Sequence, residues 1–531
     1  MRKLAATLTA FVYLYMITLF PFAALAATNS YTVTVTTTFT PLHLYYMAAS
    51  GCDNANAGTS AASPWCQPDN DGHVSLVCGD VIIAAAGTYT DIAPTHSPSS
   101  CPSTSGGIDG TGGIQFAVVL CGGTDLEACQ VSNSSGNAVE LEDVDNWAIE
   151  GFKVTNGGSN GRAFESKNCE TSGSASHHHA FINNIAYNTA QAFGMNDCGD
   201  ASSKSVDYWF VVGNIAQNGA QDGICLAAID AVGPGVLDNN SGTHFYMYNN
   251  FSYAHVNTDC RTVSDTEAFM LDTVDFHDVN STFVVANNIG YDSDRMGLQL
   301  YWQDYSSDTP TVKVYNNTFF QNNTHTGGEN LDGEININNN GGSPALPWTV
   351  IMQNNIAYQP LTSSSGGGNV TAFALYGAAN SFTNGGSGSE NFFKASNTSC
   401  IADFCDTGYN AEVFSPGTSA MLGTNTYTNP AFTNTSDLLA NQIGVPNCSG
   451  FENVTQCMGY DAVTGTLTTP SVISDLTPTA SGSTSKGFQR PTMSCSSNAD
   501  FPTALKGIVY LHWTGSIVEQ RAGLANVPCG M

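Results

Sequence analysis

The chain has 531 residues, with 14 Lys and Arg against 44 Asp and Glu and a formal charge of −30. Such a charge repels polyanions, which excludes a nucleic-acid partner and an anionic membrane surface. Charged residues make up only 11% of the chain, and Gly, Asn, Ser and Thr carry the polar surface instead, which suits an extracellular β-rich protein better than a cytosolic globule.

At the start, Arg2 and Lys3 precede an apolar run from Leu4 to Leu25, and "AALA" at 23–26 offers the small residues a signal peptidase reads. Residues 1–26 are therefore expected to be a signal peptide, with an uncleaved membrane anchor as the alternative. The mature protein is expected to be secreted or on the cell surface, with no membrane contact after cleavage. The 16 cysteines fit disulfides in an oxidising compartment, and none has zinc-finger spacing with histidines. Residues 27–130 read as an N-terminal cap and the first coils of a repeat, and 441–531 as a C-terminal cap or small module.

Between 131 and 440 one pattern recurs: a β-branched or aromatic run, an Asn, then a second short apolar run. The asparagines are Asn184, Asn214, Asn250, Asn288, Asn317 and Asn355, spaced by 30, 36, 38, 29 and 38 residues. "AIEGFKV" at 148–154 fits the same frame with Gly151 in the Asn place. Periods of this length with strand composition and no helical periodicity predict a β-solenoid whose coils stack only on their neighbours. Asn tolerates the left-handed backbone of a sharp corner, and its amide can bond the Asn above and below, so the six are expected to form a structural ladder.

A later strand in each coil aligns on Phe164 and Ser166, Phe193 and Met195, Ile224 and Leu226, Phe269 and Leu271, Leu298 and Leu300, Ile335 and Ile337, and Phe373 and Leu375. Period-two alternation turns those side chains inward and the intervening ones outward. In this register Cys169 and Cys198 share a column, close enough for a disulfide. Cys400 with Cys405, Cys448 with Cys457, and Cys495 with Cys529 are further candidate pairs.

"YYMAASGCDNANAGTSAASPW" at 45–65 and "CGDVIIAAAGTYTD" at 78–91 resemble the opening of secreted right-handed parallel β-helix proteins of the pectate-lyase-like group, and are most similar to the N-terminal segment of family 9 polysaccharide lyases. The residues concerned are Tyr45, Tyr46, Gly51, Asp53, Gly58, Thr59, Pro64, Trp65, Gly79, Asp80, Gly87 and Tyr89. "NTYTNPAFTN" at 425–434 looks like the segment that closes such solenoids. The resemblance implies a right-handed parallel β-helix and carbohydrate chemistry. In lyases of that group it also implies a bound Ca2+ and a Lys or Arg base, and no local motif here carries either over.

Candidate chemistry gathers on the outward face of the middle coils. Asp222 and Glu267 align in one column before the strand, as a general acid and base for glycoside hydrolysis, and Asp272 faces out one coil before Tyr301. Arg295 is the cation a lyase would need at this face, and its alternative is a salt-bridging turn residue. His277, Tyr301, Trp302 and Asp304 are expected to bind substrate, with the aromatic rings stacking on sugars. "HHH" at 177–179 reads as a solvated loop before a strand, with a metal site as the alternative. Asn-x-Ser/Thr sequons such as Asn133, Asn250, Asn280, Asn369 and Asn453 are candidate glycan acceptors. The expected function is polysaccharide cleavage by a monomer, as a lyase or glycoside hydrolase, with Ca2+ if a lyase. The alternative is a non-catalytic glycan-binding, adhesin or envelope solenoid, and end-to-end assembly is a further option.

Overall fold

A computed structural model describes residues 35–69, 72–101, 115–133, 136–155, 161–169, 176–196, 206–219, 226–232, 243–253, 266–272, 282–302, 311–325, 332–339, 349–365, 370–376, 391–396, 404–406, 429–432, 487 and 510–521. All but three of the described strands form three parallel sheets. The first has ten strands, from Leu44–Met47 to Thr349–Gln353; the second also has ten, from Gly87–Tyr89 to Phe392–Ala395; the third has nine, from Val139–Glu142 to Phe404–Asp406. One coil gives a strand to each sheet, as Val206–Val212, Ile215–Gly219 and Ile229–Val232 do. The fold is a parallel β-helix. No helix among the described residues is long and apolar enough to cross a membrane, and Leu4 to Leu25 lie outside them.

The corner between the first and second sheets explains the repeated asparagines. Asn183, Asn249, Asn287, Asn316 and Asn354 take positive φ of 52–58°, and Gly151 and Gly213 fill the same place at 82° and 65°. The next residue is the ladder Asn, fully buried. Asn288 is typical: its Nδ2 donates to the Met247 carbonyl (2.8 Å) and to Asn317 Oδ1 (2.9 Å), while its Oδ1 accepts from the Asn250 backbone N–H (2.9 Å). All six expected asparagines take part, and Asn391 extends the ladder one coil further through Asn355. Two expectations shift. The left-handed residue is the one before the ladder Asn, and Gly151 belongs to that preceding place, since the Phe152 N–H is the group that bonds Asn184 Oδ1 (2.9 Å).

Inside, identical columns stack at strand spacing. Phe164 lies on Phe193 with centroids 4.8 Å apart, and Phe245 on Phe283 at 4.4 Å. The N-terminal motif proves architectural. Trp65 is buried against Tyr45 at 4.5 Å, Gly58 has φ of 67° with a Cβ there driving into the indole, and the Asp80 carboxylate takes the Val77 N–H (3.0 Å) and His43 (2.7 Å). This end is cross-linked by Cys52–Cys66, Cys78–Cys101 and Cys121–Cys129, pairs the column argument did not reach. Cys169 is disulfide-bonded. Cys198, Cys400, Cys448, Cys457, Cys495 and Cys529 lie outside the described residues, as does the side chain of Cys405.

Candidate functional site

On the third sheet, Phe164, Phe193, Ile229, Phe269, Leu298 and Ile335 share an inward column of the core. Alternation turns the next residue outward, giving the column Glu140, Glu165, Gly194, Asp230, Met270, Gln299 and Asn336. Two residues on runs a parallel column: Glu142, Lys167 and Asn196, then Val232, Asp272, Tyr301 and Asn338. This face is polar in most coils, unlike the outer face of the first sheet.

The register corrects one alignment. Ile229 and Ala231, not Ile224 and Leu226, sit level with Phe269 and Leu271, and the Ala228 N–H donates to the Glu267 carbonyl (2.9 Å). Ala227 therefore occupies the place beside Glu267 that was expected for Asp222, which lies outside the described residues. The connection in this coil is longer than in the coil before it, and either apolar pair satisfies the alternation.

Glu267 and Arg295 come together, but away from solvent. They are 1% and 5% exposed, with Arg295 Nε 3.9 Å from Glu267 Oε1. Arginine holds its proton across the accessible pH range, so this guanidinium cannot serve as a base. The next residues of the same corner are equally committed: buried Asp294 lies 2.8 Å from His325 Nδ1, and fully buried Glu334 accepts from the Asn322 N–H (2.8 Å), Asn322 Nδ2 (2.6 Å) and Gln359 Nε2 (2.9 Å). Burial pushes the Glu334 carboxyl up to about 8, against the pull of its Asn322 hydrogen bonds.

The first outward column is buried from Glu165 to Asn336, and the second, at Glu142, Lys167, Val232, Asp272 and Tyr301, is half-buried. Asp272 and Tyr301 are half-buried neighbours on adjacent strands. Asp230, 2% exposed, lies on the strand beside Asp272 and two residues away along it, and accepts from Gln191 Nε2 (3.3 Å). Strand spacing and rise place that diagonal pair about 8 Å apart at the backbone. Further down, Lys167 Nζ is 3.0 Å from Glu142 and 3.4 Å from Glu140, while Glu165 is held by Arg162 and Asn137. Burial disfavours the Lys167 ammonium, but the Glu142 hydrogen bond and the charges of Glu140, Glu142 and Glu165 outweigh it and raise its pKa. The alternating "VELE" at 139–142 carries the signal for the two added glutamates.

Of the other expected contacts, His277 and Asp304 lie outside the described residues, as does the side chain of Trp302. The three histidines do not form a solvated loop: they belong to strand Ser176–Ile182, and His178 and His179 are fully buried. His178 stacks on Tyr208 (4.4 Å), which stacks on His244 (4.1 Å), and His179 Nε2 lies 2.6 Å from the Val144 carbonyl. Asn250 is a ladder residue at 0% exposure and cannot carry a glycan in the folded chain.

A Ca2+ cage needs six to eight oxygens around one point. Among the described residues one group of candidate ligand atoms lies within 4.8 Å of one another, at Glu142, Asp143 and Cys169. Cys169 is disulfide-bonded and offers no thiolate, and two carboxylates fall short of the cage. These residues do not fit Ca2+.

No family model matches the chain, and no curated protein matches it either. Among solved structures, a pectate lyase is similar at a TM-score of 0.34 and 13% identity over 76% of this chain and 85% of that one. A rhamnogalacturonan lyase gives 0.30 and 12% over 66% and 74%, and a lacto-N-biosidase from Eubacterium ramulus 0.28 and 8% over 66% and 63%. The parallel β-helix is established by the chain's own three sheets, and likenesses at this level say nothing about its activity.

Proposed function

We propose that this is an exported carbohydrate-active β-helix protein that binds a linear polysaccharide along the outer face of the third sheet and hydrolyses it with Asp230 and Asp272. The observation that carries the reading is the vertical register of Glu142, Lys167, Asp272 and Tyr301. A linear glycan offers hydroxyl groups at a repeat comparable to strand spacing. Carboxylates accept from hydroxyls, and a Tyr ring suits the apolar face of a sugar.

Hydrolysis is favoured over elimination because the cations described near this face, Arg162, Lys167 and Arg295, are all engaged with carboxylates. Asp230 and Asp272 sit in different surroundings, one buried and one half-open, which is the asymmetry that separates a general acid from a general base. The two side chains leave one sheet face from backbones about 8 Å apart, and an inverting mechanism, whose carboxyl groups stand about 6.5–9.5 Å apart to admit a water, is the one we propose. The near-complete burial of Asp230 also favours a second reading, in which the face binds glycan without cutting it. The signal-like N-terminus and the three disulfides support export.

An assay of new reducing ends and of ultraviolet-absorbing product against a panel of neutral and uronate polysaccharides, with and without Ca2+, tests this. Reducing ends without absorbance are expected, independent of Ca2+. Asp230→Asn and Asp272→Asn should each lower the rate by about 10²–10⁴-fold. Absorbing product would point to a lyase, binding without cleavage to the second reading, and full activity in both variants would remove the site.

A further inference from the structure

The outer face of the first sheet is apolar where the outer face of the third is polar. Val81, Val118, Leu120, Phe210 and Tyr246 are all buried there. Left open, such a surface would be a contiguous hydrophobic patch of the kind soluble monomers avoid. We infer that its occupant is the chain's own C-terminal segment, which straps the solenoid from outside and ties its end to its beginning.

Three anchors carry this, in chain order. Phe432 packs edge-on against Phe320 (5.4 Å) on the outer face of the second sheet, and Asn429 Nδ2 donates to Tyr358 Oη (3.1 Å). Gly487 sits at the corner between the second and first sheets: its N–H donates to the Asn354 carbonyl (2.5 Å) and its carbonyl accepts from Asn316 Nδ2 (3.3 Å). Its φ is 68°, and a Cβ there would collide with Thr318 and Ile356. Finally Val518, 2% exposed, joins the apolar cluster of the first sheet's outer face. Strand Val518–Arg521 pairs antiparallel with Tyr510–Trp513 on one side and with Val35–Phe39, at the start of the described chain, on the other.

The anchors thus pass from the second sheet, around the corner, onto the first, and from late coils back to early ones. The span to the coil of Val118 is six strand steps along the first sheet from Asn316 and seven from Asn354, roughly 29–34 Å at ordinary spacing. The 22 residues between Gly487 and Tyr510 reach about 70 Å fully extended, so the connection is long enough. None of the three anchors lies on the third sheet.

The test uses the full chain. Val518→Asp puts a charge into the apolar cluster. It should raise hydrophobic-dye fluorescence several-fold and lower Tm, with the far-ultraviolet β signal retained. Thr38→Cys with Glu519→Cys, opposite one another in the antiparallel pair, should oxidise to an intramolecular cross-link in a monomer and raise Tm. Dye binding and Tm unchanged in Val518→Asp would overturn the inference. So would failure of the cysteine pair to cross-link, and cross-linked dimers would assign the face to a second copy instead.

Discussion

Most of the corner chemistry resides in two adjacent asparagines with different tasks. The first supplies a left-handed backbone at low steric cost, and the second replaces backbone hydrogen bonds that the bend would otherwise leave unmade. Asn288→Ala would orphan the Asn250 N–H and the Met247 carbonyl in a dry interior, while Asn317 Oδ1 would keep the backbone N–H of residue 288. Each such loss costs about 1–3 kcal/mol, so the variant should unfold at markedly lower urea concentration, by roughly 2–6 kcal/mol in total. The six-residue ladder is visible in sequence because its chemistry allows few substitutes. Its neighbour is harder to see, since Gly and Asn serve equally there, which is how Gly151 came to stand one place out of register. Asn391 escapes notice for a related reason: the Gly- and Ser-rich stretch before it lacks the apolar run that precedes the other ladder asparagines in sequence.

Strands of the first and second sheets are legible because a fixed short corner joins them, from Val212 across Gly213 and Asn214 to Ile215. The third sheet is reached through turns of changing length: Phe193 follows Asn184 by nine residues, whereas Ile229 follows Asn214 by fifteen. Apolar alternation alone cannot choose between Ile224 and Ile229, and that ambiguity moves the acidic partner of the site from Asp222 to Asp230. The strand faces also assign Gln191 and Gly194 to this site. A Cβ on Gly194 would run into the Gln191 amide that donates to Asp230. Because that amide is the far end of a flexible side chain, Gly194→Ala should change stability by less than about 1 kcal/mol. It should nevertheless shift the pH–rate profile of hydrolysis by altering what holds Asp230. An unchanged profile would argue that Gln191 does nothing for the carboxylate.

Across the whole molecule, buried ionisable groups set opposing limits on stability. Burial lowers His179 from 6.5 to about 3, so between those values the unfolded chain takes up a proton that the folded chain refuses, and stability falls as pH drops. Glu334 is raised from 4.5 to about 8, so the stability it contributes below pH 4.5 is lost as pH rises towards 8. The two slopes oppose each other between pH 4.5 and 6.5, where His178, also lowered by burial, adds to the His179 side, and above pH 6.5 Glu334 acts without them, at about 1.4 kcal/mol per pH unit. Urea midpoints for Glu334→Gln should therefore lose the decline between pH 6.5 and 8 while keeping the acid limb.

The claim on which the functional account rests is that a linear glycan lies along the column from Glu142 to Tyr301. Calorimetric titration with oligosaccharides of increasing length, prepared from the polysaccharide that binds best, tests it most directly. The account predicts that affinity climbs with each added sugar until the column is filled and that Tyr301→Ala removes the later gains. Equal affinity for a disaccharide and a hexasaccharide, or no effect of Tyr301→Ala at any length, would contradict it.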